Sequence, residues 1–304
     1  MSIIVIGSAN TDLIVRTARL PAAGETVLGG DLATAAGGKG ANQAVAAARL
    51  GAPVTFVGRL GQDMFGRQSA AGLAAEGLDL TYLVRDADAP SGVALIVVDD
   101  AGQNLIAVAP GANGRLTPAD VAAAQPAIAA ARVLLLQLEI PMETVLAAAR
   151  AGRAAGLTVI LNPAPAQTLP PELYALVDYV TPNEHEATLL SGAADPEAAA
   201  GILLGWGVRG AIVTLGEAGA LLAAGPLMRV RVPGFRVAAV DTTAAGDAFN
   251  GGLAVALARG ESLPAAVHFA HAVAALSVTR PGAQPSLPTG AEVAAFLAAQ
   301  AATP

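Results

Sequence analysis

Val133-Leu-Leu-Leu-Gln-Leu138, the alanine-rich run from Glu143 to Ala154, Gly156, and then Val159-Ile-Leu161 form the stretch whose reading decides the fold. A short apolar run, a segment with room for three turns of helix, a glycine where that helix stops and a second short apolar run make one strand–helix–strand unit. Neither apolar run alternates with polar residues, so each strand is buried on both faces. That is the signature of a parallel sheet covered by helices.

The same alternation extends in both directions. Further strands are expected at Ile3–Ile6, Val54–Val57, Tyr179–Thr181 and Ala211–Leu215, with helices at Asn42–Leu50, Phe65–Ala75, Glu184–Leu190 and Ala248–Ala258. Thr117-Pro118-Ala-Asp120 and Asp195-Pro196-Glu197 have the form of helix starts, and Gly77 follows a helix as Gly156 does. Two segments lack helical period and carry turn signals. Ser91–Asp99 and Asn104–Ala109 read as a hairpin, while Ile14–Thr17 and Val27–Ala35 flank Pro21-Ala-Ala-Gly24. The expected organisation is therefore an α/β domain over residues 1–12, 37–90 and 110–304, with a small β subdomain over 13–36 and 91–109. Such a sheet suits a lid or a pairing surface, since open strand edges invite a partner. The tail after Phe296 reads as a fraying helix end.

Composition narrows the function classes. Of 304 residues 54% are apolar and only 3% aromatic, so aliphatic side chains and alanine must fill the core. Apolar runs break before the roughly 18–20 residues a membrane span needs. Met-Ser-Ile-Ile-Val-Ile-Gly7 has no basic start and reads as a first buried strand, not a leader. The formal charge is 17 − 24 = −7 with no basic block, against nucleic-acid binding. There is no cysteine, hence no disulfide or thiolate metal site, and the simplest compartment is the cytoplasm.

Four runs could carry chemistry. Val240-Asp241-Thr242-Thr243-Ala244-Ala245-Gly246-Asp247-Ala248-Phe249 leads small residues into an apolar helix. The free N–H groups of that helix start can face an anion, and Asp247 beside them can accept a proton. Asp247 equally suits a plain first-turn carboxylate. Gly37-Gly38-Lys39-Gly40-Ala41-Asn42 lets a ligand approach the backbone, or is simply a turn with a solvent lysine. It is not a Walker loop, because Lys39 is followed by glycine. Gly7-Ser8-Ala9-Asn10-Thr11-Asp12 follows the first strand. Asn10 and Asp12, two apart, share one side of an extended segment and suit a polyol, or else close an Asx turn. Asn183 and Glu186 fit either an order of water around a cation and phosphates or an ordinary capping box. His185, His268 and His271 do not group as metal ligands; the last two read as core or pocket-wall packing.

Together these runs resemble the ribokinase-like (PfkB) sugar kinase family over nearly the whole chain. Gln137-Leu-Glu139, Leu161-Asn-Pro-Ala-Pro-Ala166, Thr181-Pro-Asn-Glu184, Val232-Pro-Gly-Phe-Arg236 and Thr279-Arg-Pro-Gly-Ala-Gln-Pro-Ser286 add to the likeness. The resemblance implies a three-layer α/β/α fold with a mostly parallel central sheet and a β-sheet lid. It implies ATP-dependent phosphorylation of a sugar, with the likeness strongest to the branch acting on the 5-hydroxyl of D-ribose. Asn10, Asp12, Gly38, Lys39, Asn42 and Glu139 would hold the sugar. Asp247 would act as base beside an anion hole at Ala244, Ala245 and Gly246. Asn183 and Glu186 would lie near phosphates and Mg²⁺, and Thr214, Gly216, Gly246 and His271 near the nucleotide. Asp241, Thr243, Ser277 or Val278, Gly282 and Ser286 would form a K⁺ loop pair, in which Thr243 replaces a larger aliphatic and Pro281 is an added stiffener. A homodimer through the lid is also implied. Alternatives are a family kinase for deoxyribose, a nucleoside or a ketose, and a silent sugar-binding regulator. A Rossmann oxidoreductase would explain the βαβ pattern but not the motifs.

Overall fold

The computed structural model describes residues 2–301. Nine strands form one sheet and four form another. In chain order the strands are β1 (Ile3–Ile6), β2 (Asn10–Thr17), β3 (Ala33–Gly37), β4 (Val54–Gly61), β5 (Leu83–Asp86), β6 (Gly92–Asp99), β7 (Asn104–Ala109), β8 (Val133–Leu136), β9 (Thr158–Leu161), β10 (Tyr179–Val180), β11 (Gly210–Thr214), β12 (Ala220–Ala224) and β13 (Met228–Val232). The large sheet runs β13-β12-β11-β10-β9-β8-β1-β4-β5. It is parallel from β5 to β11 and antiparallel only at β12 and β13.

Helices cover both faces: α1 (Lys39–Arg49), α2 (Met64–Ala75), α3 (Pro118–Ala123), α4 (Gln125–Ala130), α5 (Met142–Ala154), α6 (Pro171–Leu176), α7 (Glu184–Ser191), α8 (Pro196–Gly205), α9 (Ala245–Ala258), α10 (Leu263–Ser277) and α11 (Gly290–Ala301). Alternate side chains of each strand enter opposite cores. Ile3 and Val5 of β1 pack with α1, α9 and α10, whereas Ile4 and Ile6 pack with α3 to α8. All four are fully buried, each worth about 1.5–3 kcal/mol of burial. This is the three-layer arrangement expected from the unbroken apolar runs. The capping signals at Thr117 and Asp195 also hold: Thr117 and Asp120 form a capping box, and Asp195 accepts from the Ala198 N–H.

The second sheet runs β3-β2-β6-β7. The expected hairpin is β6–β7, paired antiparallel. Two expectations shift. The first lid strand starts at Asn10, so Asn10 and Asp12 belong to it. The strand expected over Val27–Ala35 is instead Ala33–Gly37. Gly29-Gly30 makes one backbone contact, Gly30 N–H to the Arg16 carbonyl at 2.9 Å, and Leu28 is 92% exposed. With no side chain at the paired glycines and no partner for Leu28, that segment has no ladder to join. Of the tail expected to fray, 297–301 continue α11 and 302–304 lie outside the described residues.

Strand order reverses between β1 and β8. The chain moves from β1 to β4 and β5 on one side and from β8 to β11 on the other. A crevice outside the carboxyl ends of the strands at such a switch is where open α/β sheets receive ligands. Residues 7–12 leave β1 there, and Gln137 to Glu139 leave β8.

Candidate active site

The glycine run crosses directly over the exit of β1. Gly38 has φ 89° and caps α1, and a Cβ there would stand 2.6 Å from the Asn10 nitrogen. Only glycine fits this left-handed crossing. It brings Lys39, Asn42 and Gln43 of α1 against Glu139 and Asp247. Ser8 Oγ donates to Glu139 Oε2 at 2.5 Å, and the Lys39 N–H donates to the same oxygen at 3.0 Å. On β2, Asn10 and Asp12 lie two apart and so project from one face. Asn10 Oδ1 is held by Asn113 Nδ2 at 2.7 Å, and Asn113 also clasps both backbone groups of Ala9.

Asp247 lies in the first turn of α9 and is buried. Asn42 Nδ2 donates to its Oδ2 at 2.9 Å and Gln43 Nε2 to its Oδ1 at 3.0 Å. Burial raises its pKa above the ordinary carboxylate range. Lys39, Asn42 and Gln43 pull against that, while Glu139 adds to it. Asp12 is raised to about 6, by burial first and then by Glu139 and Asp247. Burial would lower the Lys39 ammonium, yet Asp247, Glu139 and Glu186 hold it above its usual value. The plain first-turn carboxylate and the solvent lysine are thus replaced by an ionic cluster in which one cation faces several anions.

On the other side of Asp247, the chain before α9 turns through Ala244 at φ 60°, the non-glycine residue with positive φ among those described. Such a conformation costs a residue with a Cβ about 1–2 kcal/mol. The turn aims backbone donors outward. The Ala245 N–H donates to the Thr242 carbonyl at 3.2 Å. Among the described residues, the N–H groups of Ala244, Gly246 and Asp247 have no partner. Of the three residues expected at an anion hole, Ala244 and Gly246 thus keep free N–H groups, while that of Ala245 is already taken.

A cavity of about 790 Å³ opens beside this turn, lined by Thr214, Gly216, Ala245, Gly246, Phe249 and His271 among others. Its size lies within the range of about 300–1,000 Å³ usual for ligand pockets. His271 packs on Phe249 with ring centroids 5.1 Å apart. Burial, and then His268, push its pKa down to about 4, so the ring is neutral at pH 7. Its buried Nε2 has no hydrogen-bond partner in the protein. Asn183 and Glu186 form a capping box, at 2.9 and 2.8 Å. The ordinary capping box is thus present, and it uses Glu186 Oε2 and leaves Oε1 unbonded. Burial raises the Glu186 pKa despite the Asn183 N–H and Lys39. A bridge from Asn183 to Thr214 brings this corner to the cavity.

Asp241 and Gly282 also meet. Asp241 Oδ2 accepts from the Gly282 N–H at 2.8 Å, and Oδ1 from Thr243 N–H and Oγ. Burial opposes ionisation, but these hydrogen bonds hold the Asp241 pKa below its usual value. The Val278 carbonyl already accepts the Val240 and Asp241 N–H groups, at 2.7 and 3.2 Å. Ser277 Oγ and Ser286 Oγ donate to carbonyls on their own turns.

Sequence reasoning missed Gln43, Asn113, Asn162 and Asn250. Asn162 stands inside a run singled out by sequence and Gln43 directly after one, next to Asn42, but their type alone assigns no role.

The pfkB family of carbohydrate kinases matches residues 1–290. The chain belongs to that family. It is 44% identical to the ribokinase of Bacillus subtilis over 296 residues, covering 97% of this chain and 99% of that protein. It is 40% identical to a deoxyribokinase of Salmonella typhi over 295 residues, covering 95% and 96%. A solved structure of Arabidopsis thaliana ribokinase complexed with ribose and ATP has a TM-score of 0.89 to it at 35% identity, covering 97% of this chain and 98% of that one. The family fold accounts for the layers, the switch point and the separate small sheet. Among the described residues no helix is long and apolar enough to cross a membrane.

Proposed function

We propose that this carbohydrate kinase transfers the γ-phosphoryl group of ATP to the 5-hydroxyl of D-ribose, giving ribose 5-phosphate and ADP. One observation carries the reading. A buried carboxylate, Asp247, is held at both oxygens by amide donors and stands between a polyol-type cluster and a turn of unpaired N–H groups.

The sugar lies under the small sheet. Asn10, Asp12, Asn42 and Glu139 take its hydroxyls, with Gly38 and Lys39 at the edge. Asn42 Oδ1 is buried and unpartnered in the protein, so a sugar hydroxyl supplies the donor it lacks. Asp247 accepts the proton of the primary hydroxyl as the oxygen attacks phosphorus. The N–H groups of Ala244 and Gly246 and the positive end of α9 receive the charge of the transferring group. The nucleotide occupies the cavity, where Thr214, Gly216 and the neutral His271 meet it. The unpaired Nε2 of His271 and the size of the space both suit a heteroaromatic ligand.

Glu186 and Asn183, with oxygen atoms beside the phosphate end, fit the water shell of Mg²⁺, which when bound neutralises charge between the phosphates. The all-oxygen set of the ionised Asp241 with the carbonyls of Thr243 and Gly282 fits K⁺. The Asp241 carboxylate and the Val278 carbonyl both already accept hydrogen bonds within this loop pair. The exposed edge strand β7, with Leu105, Ile106 and Val108 each at least 50% exposed, supports a homodimer through the lid, which sedimentation would report as a doubled mass. The reading sets the enzyme in the cytoplasm.

A coupled ADP-release assay across ribose, 2-deoxyribose, fructose and adenosine tests the assignment. Ribose is expected to give the highest kcat/KM. A preference for deoxyribose, the nearest rival given the Salmonella relative, would move the substrate. No acceptor-dependent ADP release would overturn the reading.

A further inference from the structure

We propose that Gln43 is a positioning residue, which fixes the carboxylate of Asp247 and keeps it ionised through a buried chain of amide side chains. The inference rests on the reading of Asp247 as the base. Gln43 is 0% exposed in α1, and a buried amide is tolerated only when its hydrogen bonds are met. Here they are met in one orientation. While the Oε1 of Gln137 is itself buried without a protein partner, its Nε2 donates to Gln43 Oε1 at 2.5 Å. That turns Gln43 Nε2 toward two acceptors, Asp247 Oδ1 at 3.0 Å and Asn162 Oδ1 at 3.1 Å. A flipped amide would set oxygen against oxygen at Asp247 and nitrogen against nitrogen at Gln137.

The chain continues to the turn of donors. Asn162 Nδ2 donates to the Thr181 carbonyl at 3.3 Å, Thr181 Oγ to Asn250 Oδ1 at 2.7 Å, and Asn250 Nδ2 to the Gly246 carbonyl at 2.8 Å. One string of amides thus holds both the base and the first turn of α9. The close approach of the two helices permits it: a Cβ on Gly251 of α9 would stand 2.5 Å from Ala46 Cβ and 3.0 Å from the Gln43 carbonyl. Asn42 also reaches Asp247, but its Oδ1 has no partner in the protein and is the end given to the sugar in the proposed function. Gln43 is 0% exposed and has both ends of its amide engaged by protein groups.

The charged groups around Asp247 are Lys39 of α1, Glu139 after β8, Asp12 of β2 and Glu186 of α7; on α10, His271 packs on Phe249. With three of these carboxylates against one ammonium, a donor hydrogen bond to the ionised form matters.

The test is ¹³C NMR titration of the Asp247 carboxyl in the full chain, assigned by its loss in Asp247→Asn. It is paired with the pH profile of ribose-dependent ADP release. Gln43→Met removes the donor at similar volume. It should lower the acid dissociation constant of Asp247 by about tenfold and move the acid limb of kcat/KM up in pH by the same amount. Its kcat should fall more than its KM for ribose changes. Gln43→Glu is near-isosteric and sets a second carboxyl about 3 Å from the first, which should raise the titration further. It serves as the second probe if the Met variant does not fold. An Asp247 titration and acid limb unmoved in a folded Gln43 variant would overturn the proposal and leave a core residue. The NMR arm needs no substrate. A wild-type chain inactive on every sugar would therefore sink the kinase reading, while a shifted titration would still support the role of Gln43.

Discussion

The two sides of Asp247 handle negative charge in opposite ways. On the side of the lid, Asp12, Glu139 and Lys39 are drawn together out of water, and burial first, then Glu139 and Asp247, raise Asp12 to about 6. On the side of the cavity, the groups around an anion are mainly the backbone donors of Ala244 and Gly246 and a neutral His271, with Arg236 as the one cation on the wall. Side-chain charges can be weak or strong with pH, and they discriminate among hydroxyl patterns. Backbone donors cannot titrate or be mutated away, so they give an unchanging field where phosphoryl chemistry is the same for every acceptor. A protein with a net charge of −7 thereby receives a polyanion without a basic patch.

The largest expected effect falls where the two sides meet. Asp247→Asn should lower kcat by about 10²–10⁴-fold, the usual share of a positioned base, with circular dichroism and thermal unfolding near those of the parent. Near-normal turnover would dissolve the boundary between the two sides. Next comes the pH dependence of sugar binding, which belongs to the lid side. Asp12 has a folded pKa of about 6, above the ordinary 3.8. Its protonation below about pH 6 should raise the KM for sugar while leaving the KM for ATP flat. The sign for stability follows from the same shift. Ionised Asp12 costs stability in full above pH 6, the cost shrinks as pH falls through 6, and it is gone below about 4. Asp12→Asn should therefore unfold at higher temperature than the parent at pH 8 and at the same temperature at pH 4. An equal difference at both would remove Asp12 from the cluster. The smallest effect tests the backbone side. Ala244→Val places a β-branched side chain at φ 60° and should cost about 1–2 kcal/mol in denaturant unfolding. A neutral result would mean that the turn is not held in that conformation.

Much of the fold was legible because its signal is local. Ile3–Ile6 matches β1 to the residue, and the helix read at Glu143–Ala154 begins one residue earlier, at Met142. Val27–Ala35 misled in its first part, because residues 27–32 have no strand to pair with while Ala33–Ala35 join β2, and pairing is not encoded in one segment. In the site, Asn10, Asp12, Asn42 and Asp247 were legible because each stands at the end of a strand or the start of a helix. The network of Gln43, Asn162 and Asn250 was not. An amide side chain carries no mark of its partner, and these partners come from positions up to 204 apart. The left-handed turn at Ala244 was equally silent, since alanine usually marks helix and only the surrounding packing forces it elsewhere.

The most direct test of the central claim is the position of the transferred phosphate, read by ³¹P–¹³C coupling in the product formed from ¹³C-ribose and ATP. Coupling of phosphorus to C5 is predicted, with one ADP per phosphorylated sugar. Phosphate on the anomeric carbon, or ADP formed without phosphorylated sugar, would contradict the account.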